Sequence, residues 1–276
     1  MKIDLTIYYI INLMMNNKSP LRYPGGKTRA CKIIESVLTK YIDIPPTLVS
    51  PFFGGGSFEF YLQNKYNLDI IANDKFTPLY KLWLSTKNNK KELCTLVDSL
   101  HPATKEQFMT YRKNIMKETN ALKQAAWYFI INRCSFSGAT LSGGFSKQAA
   151  EKRFTKSSIQ RLKNVDLSKT TFCNDDFTDF IPRYKNHFMF LDPPYYLEKK
   201  SKLYGKNGDL HESFDHKKLA SLLKEVPTWI LCYNDCTYIR KLYEAYTIVE
   251  VNWSYGMNKS KKSSEILIIR NSKKLN

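Results

Sequence analysis

Seven short apolar runs, each stopping on polar or acidic residues, constrain this chain most. They are TLVS (47–50), DIIAND (69–74), TTFCNDD (170–176), FMFLD (188–192), TWILCYND (228–235), YTIVEVNW (246–253) and SEILIIRN (264–271). Their length and their β-branched or aromatic content read as strands. Helical patterns lie between them near 78–100, 104–118, 121–134, 215–225 and 236–245. That alternation predicts an α/β sheet of mainly parallel order. Residues 254–263 are too few for a helical crossover, so the last two strands are expected to run antiparallel.

The helical stretch 76–165 interrupts the alternation and reads as an inserted domain between two pieces of a sheet domain, 19–75 and 166–276. It carries sixteen Lys and Arg against five acids, a surplus of 11 within a formal net charge of +18. A surplus of that size points to an anionic partner, with nucleic acid ahead of an acidic membrane surface. The bland alternative is a solubilising charge. Residues 1–18 read as an N-terminal extension. Leu5 to Met15 is apolar but too short to span a bilayer, and no small-residue cleavage site follows. Met14 and Met15 offer a second translation start, so the folded domain is expected to begin near Ser19. The six cysteines show no C-x-x-C spacing and the four histidines do not cluster. Reduced thiols, no metal site and an intracellular location (cytoplasm or nucleoid) are expected.

The segment FMFLDPPYYLEKK (188–200) drives a strand into Asp192, Pro193, Pro194, Tyr195 and Tyr196. Proline lacks an N–H and fixes φ, so the strand has to end here, and Asp commonly opens a turn. Read as a site, the prolines hold the Asp192 carboxylate and the Pro193 carbonyl as fixed acceptors at the carboxyl end of a strand. Open α/β sheets hold their ligands at that edge. With the flat ring of Tyr195 beside them, these acceptors suit a flat group bearing an amino N–H2, such as a nucleobase.

PFFGGGSFEF (51–60) places Gly54, Gly55 and Gly56 between a strand and a helix, where backbone can approach a ligand closely. Asp74 ends the next strand about twenty residues on, the position of an acid that binds a ribose hydroxyl pair. Glu59 stands where the dinucleotide fingerprint has its third glycine, so a nucleoside without phosphates fits better, and S-adenosylmethionine is the foremost such cofactor. In LRYPGGKTRA (21–30), Lys27 is either a solvated lysine on a turn or a partner for the carboxylate of a methionine moiety. Asp176 in NDDF (174–177) is a candidate acceptor for the cofactor adenine, or a turn or N-cap residue.

Taken in order, RYPGGK, PFFGGGSF, ND and LDPPY resemble the Dam-type, D12-class amino-methyltransferases that modify adenine N6 in DNA, across roughly residues 19–271. The resemblance implies a Rossmann-like S-adenosylmethionine-dependent methyltransferase sheet with an antiparallel C-terminal strand pair. It also implies that the inserted, mainly helical block is a target-recognition domain. Cofactor contacts would come from Tyr23, Lys27, Phe53, Gly54, Gly56 and Asp74, and catalysis from Asp192, Pro193 and Tyr195, with Asp192 also facing the cofactor. NRCSFSG (132–138) resembles the start of a DNA-contacting hairpin over 132–146. Arg133 at its base is then a candidate for a base edge, and Lys147, Lys152 and Arg153 for phosphates. In one departure, the family carries Glu before the Pro-Phe of the glycine loop, where this chain has Ser50; the glycine-loop helix or Asp74 is expected to compensate.

The implied reaction is methyl transfer from S-adenosylmethionine to N6 of an adenine flipped out of double-stranded DNA. A monomer is expected, with a restriction endonuclease as a candidate companion. On the residues alone, transfer to cytosine N4, to RNA or to a glutamine amide stays open, as does an inactive DNA-binding homologue. No Pro-Cys dipeptide is present for a covalent route to cytosine C5.

Overall fold

A computed structural model of the protein describes residues 17–23, 25–196, 214–254 and 262–271. Of the expected N-terminal extension, residues 1–16 lie outside the described residues. Helix α1 (Cys31–Tyr41) precedes strand β1 (Thr47–Ser50), and α2 (Ser57–Tyr66) precedes β2 (Asp69–Asn73). A run of helices follows: α3 (Thr77–Asn88), α4 (Lys90–Ser99), α5 (Lys105–Asn114), α6 (Ala121–Cys134), α7 (Lys147–Arg153) and α8 (Lys156–Asn164). Strand and helix then alternate through β3 (Thr170–Cys173), α9 (Phe177–Arg183), β4 (Met189–Leu191), α10 (His216–Leu223), β5 (Thr228–Asn234) and α11 (Thr237–Leu242). The chain closes with β6 (Thr247–Ser254) and β7 (Lys262–Asn271).

The strands form one sheet in the order β3-β2-β1-β4-β5-β7-β6. Its first five members run parallel, and β7 lies antiparallel between β5 and β6. All seven expected strands form, in a Rossmann-like sheet with an antiparallel C-terminal pair. Both faces of the sheet are covered, which is why the strands read as continuous apolar runs rather than alternating ones. Leu48, Ile70, Phe190 and Ile230 face a cluster built with α1 to α8. Val49, Met189, Leu191 and Leu231 face a second cluster with α9 to α11. Each such side chain contributes ~1.5–3 kcal/mol on burial, so a one-residue slip of any central strand is strongly disfavoured.

The single helix expected over 78–100 is two helices, because Asn89 (φ −132°, ψ 39°) leaves the helical region between α3 and α4. Asparagine side chains compete for backbone hydrogen bonds and favour such breaks. Leu79, Leu82 and Trp83 of α3 join the same apolar cluster as β1 and β2. The block expected as an inserted domain therefore shares a core with the sheet. Helix α6 explains why: every residue from Gln124 to Cys134 is buried, so it needs neighbours on all sides. Among the described residues no helix is long and apolar enough to cross a membrane.

The fold begins earlier than Ser19. Asn17 is buried, and its amide donates to Gln63 Oε1 (3.1 Å) and to the Asp166 carbonyl (2.6 Å). Its Oδ1 accepts from the Asp166 N–H at 2.8 Å, and its own N–H donates to Asn64 Oδ1 at 2.8 Å. Asn17 thus ties α2 to the segment entering β3. Asn17→Ala strands buried donors and acceptors and should lower the unfolding free energy by about 1–3 kcal/mol. Urea melts with an unchanged m-value would show it.

Candidate active site

From β1 the chain builds outward in both directions, through β2 and β3 on one side and β4 and β5 on the other. A crevice opens at the carboxyl ends of the strands where the order reverses. Strands β1 and β4 meet at Val49 and Met189, so the segments after Ser50 and after Leu191 emerge side by side. A cavity of about 700 Å³ lies between them, lined by the glycine loop, Asp74, Asp192, Pro193 and Tyr195.

The glycine loop is pinned from several directions. Asp74 accepts the Gly54 N–H on Oδ2 (3.0 Å) and the Phe76 N–H on Oδ1 (2.9 Å). Burial lifts the Asp74 carboxyl to about 6, against the pull of these two N–H groups. The buried Asn73 amide donates to the carbonyls of Pro51 and Asp175 (both 3.1 Å), joining the ends of β1, β2 and β3. Trp83 Nε1 donates to the Gly54 carbonyl at 3.0 Å. Tyr23 packs so tightly on the loop that a Cβ added at Gly54 would lie 2.8 Å from its ring. Phe53 is 3% exposed and packs on Phe60, Trp83 and Phe172, so it supports the loop from beneath.

Aromatic residues that sequence reasoning missed form one wall. Phe52 lies 5.8 Å from Phe177 and 5.5 Å from Phe214, centroid to centroid, and all three rings line the cavity. Asp176, beside them, caps α9 by accepting from the Thr178 N–H (3.0 Å) and pairs with Lys75 at 2.6 Å. Burial pushes its carboxyl up, but Lys75 and Thr178 outweigh that and hold it below the usual carboxylate range.

Lys27 lines the cavity and is engaged by groups of the protein. It is 3% exposed, and its Nζ sits 2.8 Å from Asp192 Oδ1 and 3.0 Å from the Gly25 carbonyl. The Glu265 carboxylate is 3.9 Å away and the Tyr195 ring centroid 5.1 Å away. The physical cause is Asp192 itself. Burial raises its pKa, and the nearby lysine opposes that shift. A carboxylate taken out of water needs a cation beside it. The Tyr195 hydroxyl donates to Glu265 Oε2 on β7. Sequence reasoning missed Glu265, although an acid inside the apolar run SEILIIR, here 2% exposed, was a signal.

The Ser50 position is resolved by its neighbour. Ser50 Oγ donates to Glu59 Oε1 at 2.7 Å, and Glu59 is 3% exposed while lining the cavity. Burial, helped by the Asp192 charge and opposed by Ser50 and Lys27, lifts the Glu59 carboxyl to about 7. A carboxylate from α2 thus reaches the end of β1.

The expected hairpin is a loop closed at its neck by one antiparallel bridge, Ser135 to Phe145, and filled by tight turns at Phe136–Gly138 and Thr140–Ser142. Thr140 reaches the cavity wall. The loop leans on the start of RYPGGK. A Cβ at Gly138 (φ +75°) would lie 2.5 Å from the Arg22 carbonyl oxygen, and buried Asn132 accepts from the Arg22 N–H (3.0 Å) and donates to its carbonyl (2.7 Å). Lys147 and Lys152 are exposed on α7, and Arg153 is half-buried. Arg133 differs from the expectation of a base-reading side chain. It is 5% exposed, and its guanidinium donates to the carbonyls of Arg153 (2.8 Å) and Pro20 (3.3 Å). It extends from the end of a helix buried all round, so it points inward. Burial, then Arg161, Arg22 and Arg153, lower its pKa to about 10.

Three mutually tilted aromatic rings, a carboxylate at the end of β2 and charged side chains of both signs thus line one cavity. A family model described as D12 class N6 adenine-specific DNA methyltransferase matches residues 23–257. The chain is also 27% identical over 205 residues to the Type II methyltransferase M.MjaIII of Methanocaldococcus jannaschii, covering 66% of this chain and 70% of that protein. Glu265 lies beyond the residues matched by the family model.

The elevated Asp74 carboxyl makes a stability prediction. Its folded-state pKa of about 6 exceeds the unfolded value, so ionising it opposes folding. That penalty is fully present above about pH 6 and fades as pH falls toward about 4. The stability of Asp74→Asn relative to the native chain should therefore rise between about pH 4 and about pH 7, on top of a pH-independent cost for the one backbone N–H that the amide nitrogen cannot accept. Urea melts across that range measure it; a difference independent of pH would remove burial of the charge as the cause.

Proposed function

The chain belongs to the D12 class N6 adenine-specific DNA methyltransferases, and we propose that it moves a methyl group from S-adenosylmethionine to N6 of an adenine flipped out of double-stranded DNA. The observation that carries this reading is the shared cavity. Acceptors at the end of β4, Asp192 and Pro193, open into the same space as the glycine loop and Asp74 at the ends of β1 and β2.

The residues fit the cofactor. The Phe52, Phe177 and Phe214 wall suits a purine, and Asp74, held by two backbone N–H groups, keeps lone pairs for ribose hydroxyls. When bound, S-adenosylmethionine supplies an electrophilic methyl group on a cationic sulfur. The target amine lies inside the duplex stack, so the base has to leave it, at a cost of a few kcal/mol. Stacking on Tyr195 returns ~1–3 kcal/mol. Glu265 holds the Tyr195 hydroxyl, so the ring is set before the base arrives. The Asp192 carboxylate and the Pro193 carbonyl accept the two amino hydrogens, which draws the nitrogen lone pair out of conjugation and aims it. The gain is positioning and electrostatics. Lys27 keeps Asp192 ionised in spite of its burial. Once the nitrogen has gained its new carbon it carries a surplus proton, and Asp192, with a pKa raised by burial, takes it.

Asp192→Asn keeps the volume and one acceptor but adds a donor facing the amine. Single-turnover methyl transfer should fall by at least about 100-fold while cofactor affinity changes little. Nucleoside digests of DNA modified by the native enzyme should contain N6-methyladenine; N4-methylcytosine in its place would overturn the base assignment.

The block over 76–165, with the loop after Asn132, serves as the DNA-reading part in this scheme, and Lys147, Lys152 and Arg153 as phosphate contacts. Replacing exposed Lys147 and Lys152 by Ala should flatten the log–log salt dependence of DNA binding by up to about 1.8, at about 0.9 per phosphate contact, and weaken all sequences alike. Titrations over a salt series would show it. An unchanged slope would mean that DNA lies elsewhere.

A further inference from the structure

We infer that Glu59, oriented by Ser50, is a cofactor-binding residue that takes the ammonium group of the amino-acid tail; this rests on the reading that the cavity holds S-adenosylmethionine. Three observations carry it. The Glu59 side chain lines the cavity while being 3% exposed. Its Oε1 has one hydroxyl donor, Ser50 Oγ at 2.7 Å, and among the described residues no base lies within ion-pair distance of it. The nearest base is already engaged, because Lys27 sits on Asp192 at 2.8 Å and on the Gly25 carbonyl at 3.0 Å.

A carboxylate in such a place is expensive unless something cationic joins it. A role confined to folding does not account for it, since Gln or Thr would satisfy Ser50 without burying an ionisable group. Glu59 is the third residue of α2, where the helix N-terminus favours negative charge. That helps the carboxylate but brings no hydrogen-bonding cation. The protein therefore supplies an anionic socket on the cavity wall, and the cation has to come with the ligand. An amino-acid ammonium, with three donors, fits it.

The raised carboxyl, about 7, gives the socket a pH signature. An incoming ammonium favours the ionised form, so affinity for a ligand that carries it should fall as pH drops below about 7. The titratable groups around Glu59 are Lys27, Asp192, Cys31 on α1 and Cys232 on β5, with Glu265 beyond Lys27. Burial raises both thiols, Cys31 to about 12, so neither ionises in this range.

The test compares two ligands by calorimetry on the full-length protein: S-adenosylhomocysteine and its deaminated analogue, which lacks only the ammonium. Glu59→Gln can still accept from Ser50. It should weaken S-adenosylhomocysteine by about 10- to 100-fold, the range for a hydrogen bond to a charged group, and leave the analogue unchanged. In the native protein, the ratio of the two dissociation constants should shift as pH falls through about 7, a measurement that does not depend on the variant folding. Equal weakening of both ligands, or of neither, or a ratio indifferent to pH, would overturn the assignment of Glu59 alone. Native protein that binds neither ligand would overturn the cofactor reading and this inference with it.

Discussion

Everything in this molecule depends on β1 and β4 being parallel neighbours. Val49 meets Met189 at the middle of the sheet, and the two strands release their chains at the same edge. Because β2 and β3 extend to one side and β5 to the other, no helix can cross over that junction. The crevice is then occupied by what the strands themselves deliver: glycines, Asp74 and the Asp-Pro-Pro-Tyr segment. A proline pair can stand there because the strand has nothing further to pair with.

The interior of this edge is an electrostatic compromise. One lysine, Lys27, faces Asp192 at 2.8 Å and Glu265 at 3.9 Å, and its field reaches Glu59. Two buried carboxyl groups, Glu59 and Glu265, the half-buried Asp192 and one ammonium leave the site short of positive charge, and desolvation raises the carboxyls of Asp192 and Glu59. A shortage of this kind raises the cost of ionising these groups in the folded protein.

The helical block is bound to this edge rather than suspended from it. Trp83 holds the Gly54 carbonyl, Tyr128 and Thr140 line the cavity, and Asn132 brackets the backbone of Arg22 at the start of RYPGGK. The loop after α6 is therefore tied to the segment carrying Tyr23 and Lys27. Arg133 contributes by locking the end of α7 and the start of the domain together, with its donors spent on carbonyls.

Period, punctuation and spacing were enough to determine the strands, their mainly parallel order, the antiparallel ending and the three motif clusters, because each is a local property of the chain. That Gly54, Asp74, Asp192 and Tyr195 share one edge was legible for the same reason: each follows a strand end within about four residues, and all four line the cavity. Tertiary structure alone decided the partners. Ser50 and Glu59 lie on consecutive elements, but only the turn of the glycine loop brings their side chains together. The pairing of Lys27 with Asp192 is invisible in sequence, since it follows from burial of a carboxylate beside which a cation is needed. Arg133 looked like a surface cation until α6 proved buried on every side. Glu265 reaches Tyr195 only because β7 inserts beside β5, a pairing set by packing of the whole sheet rather than by neighbouring residues.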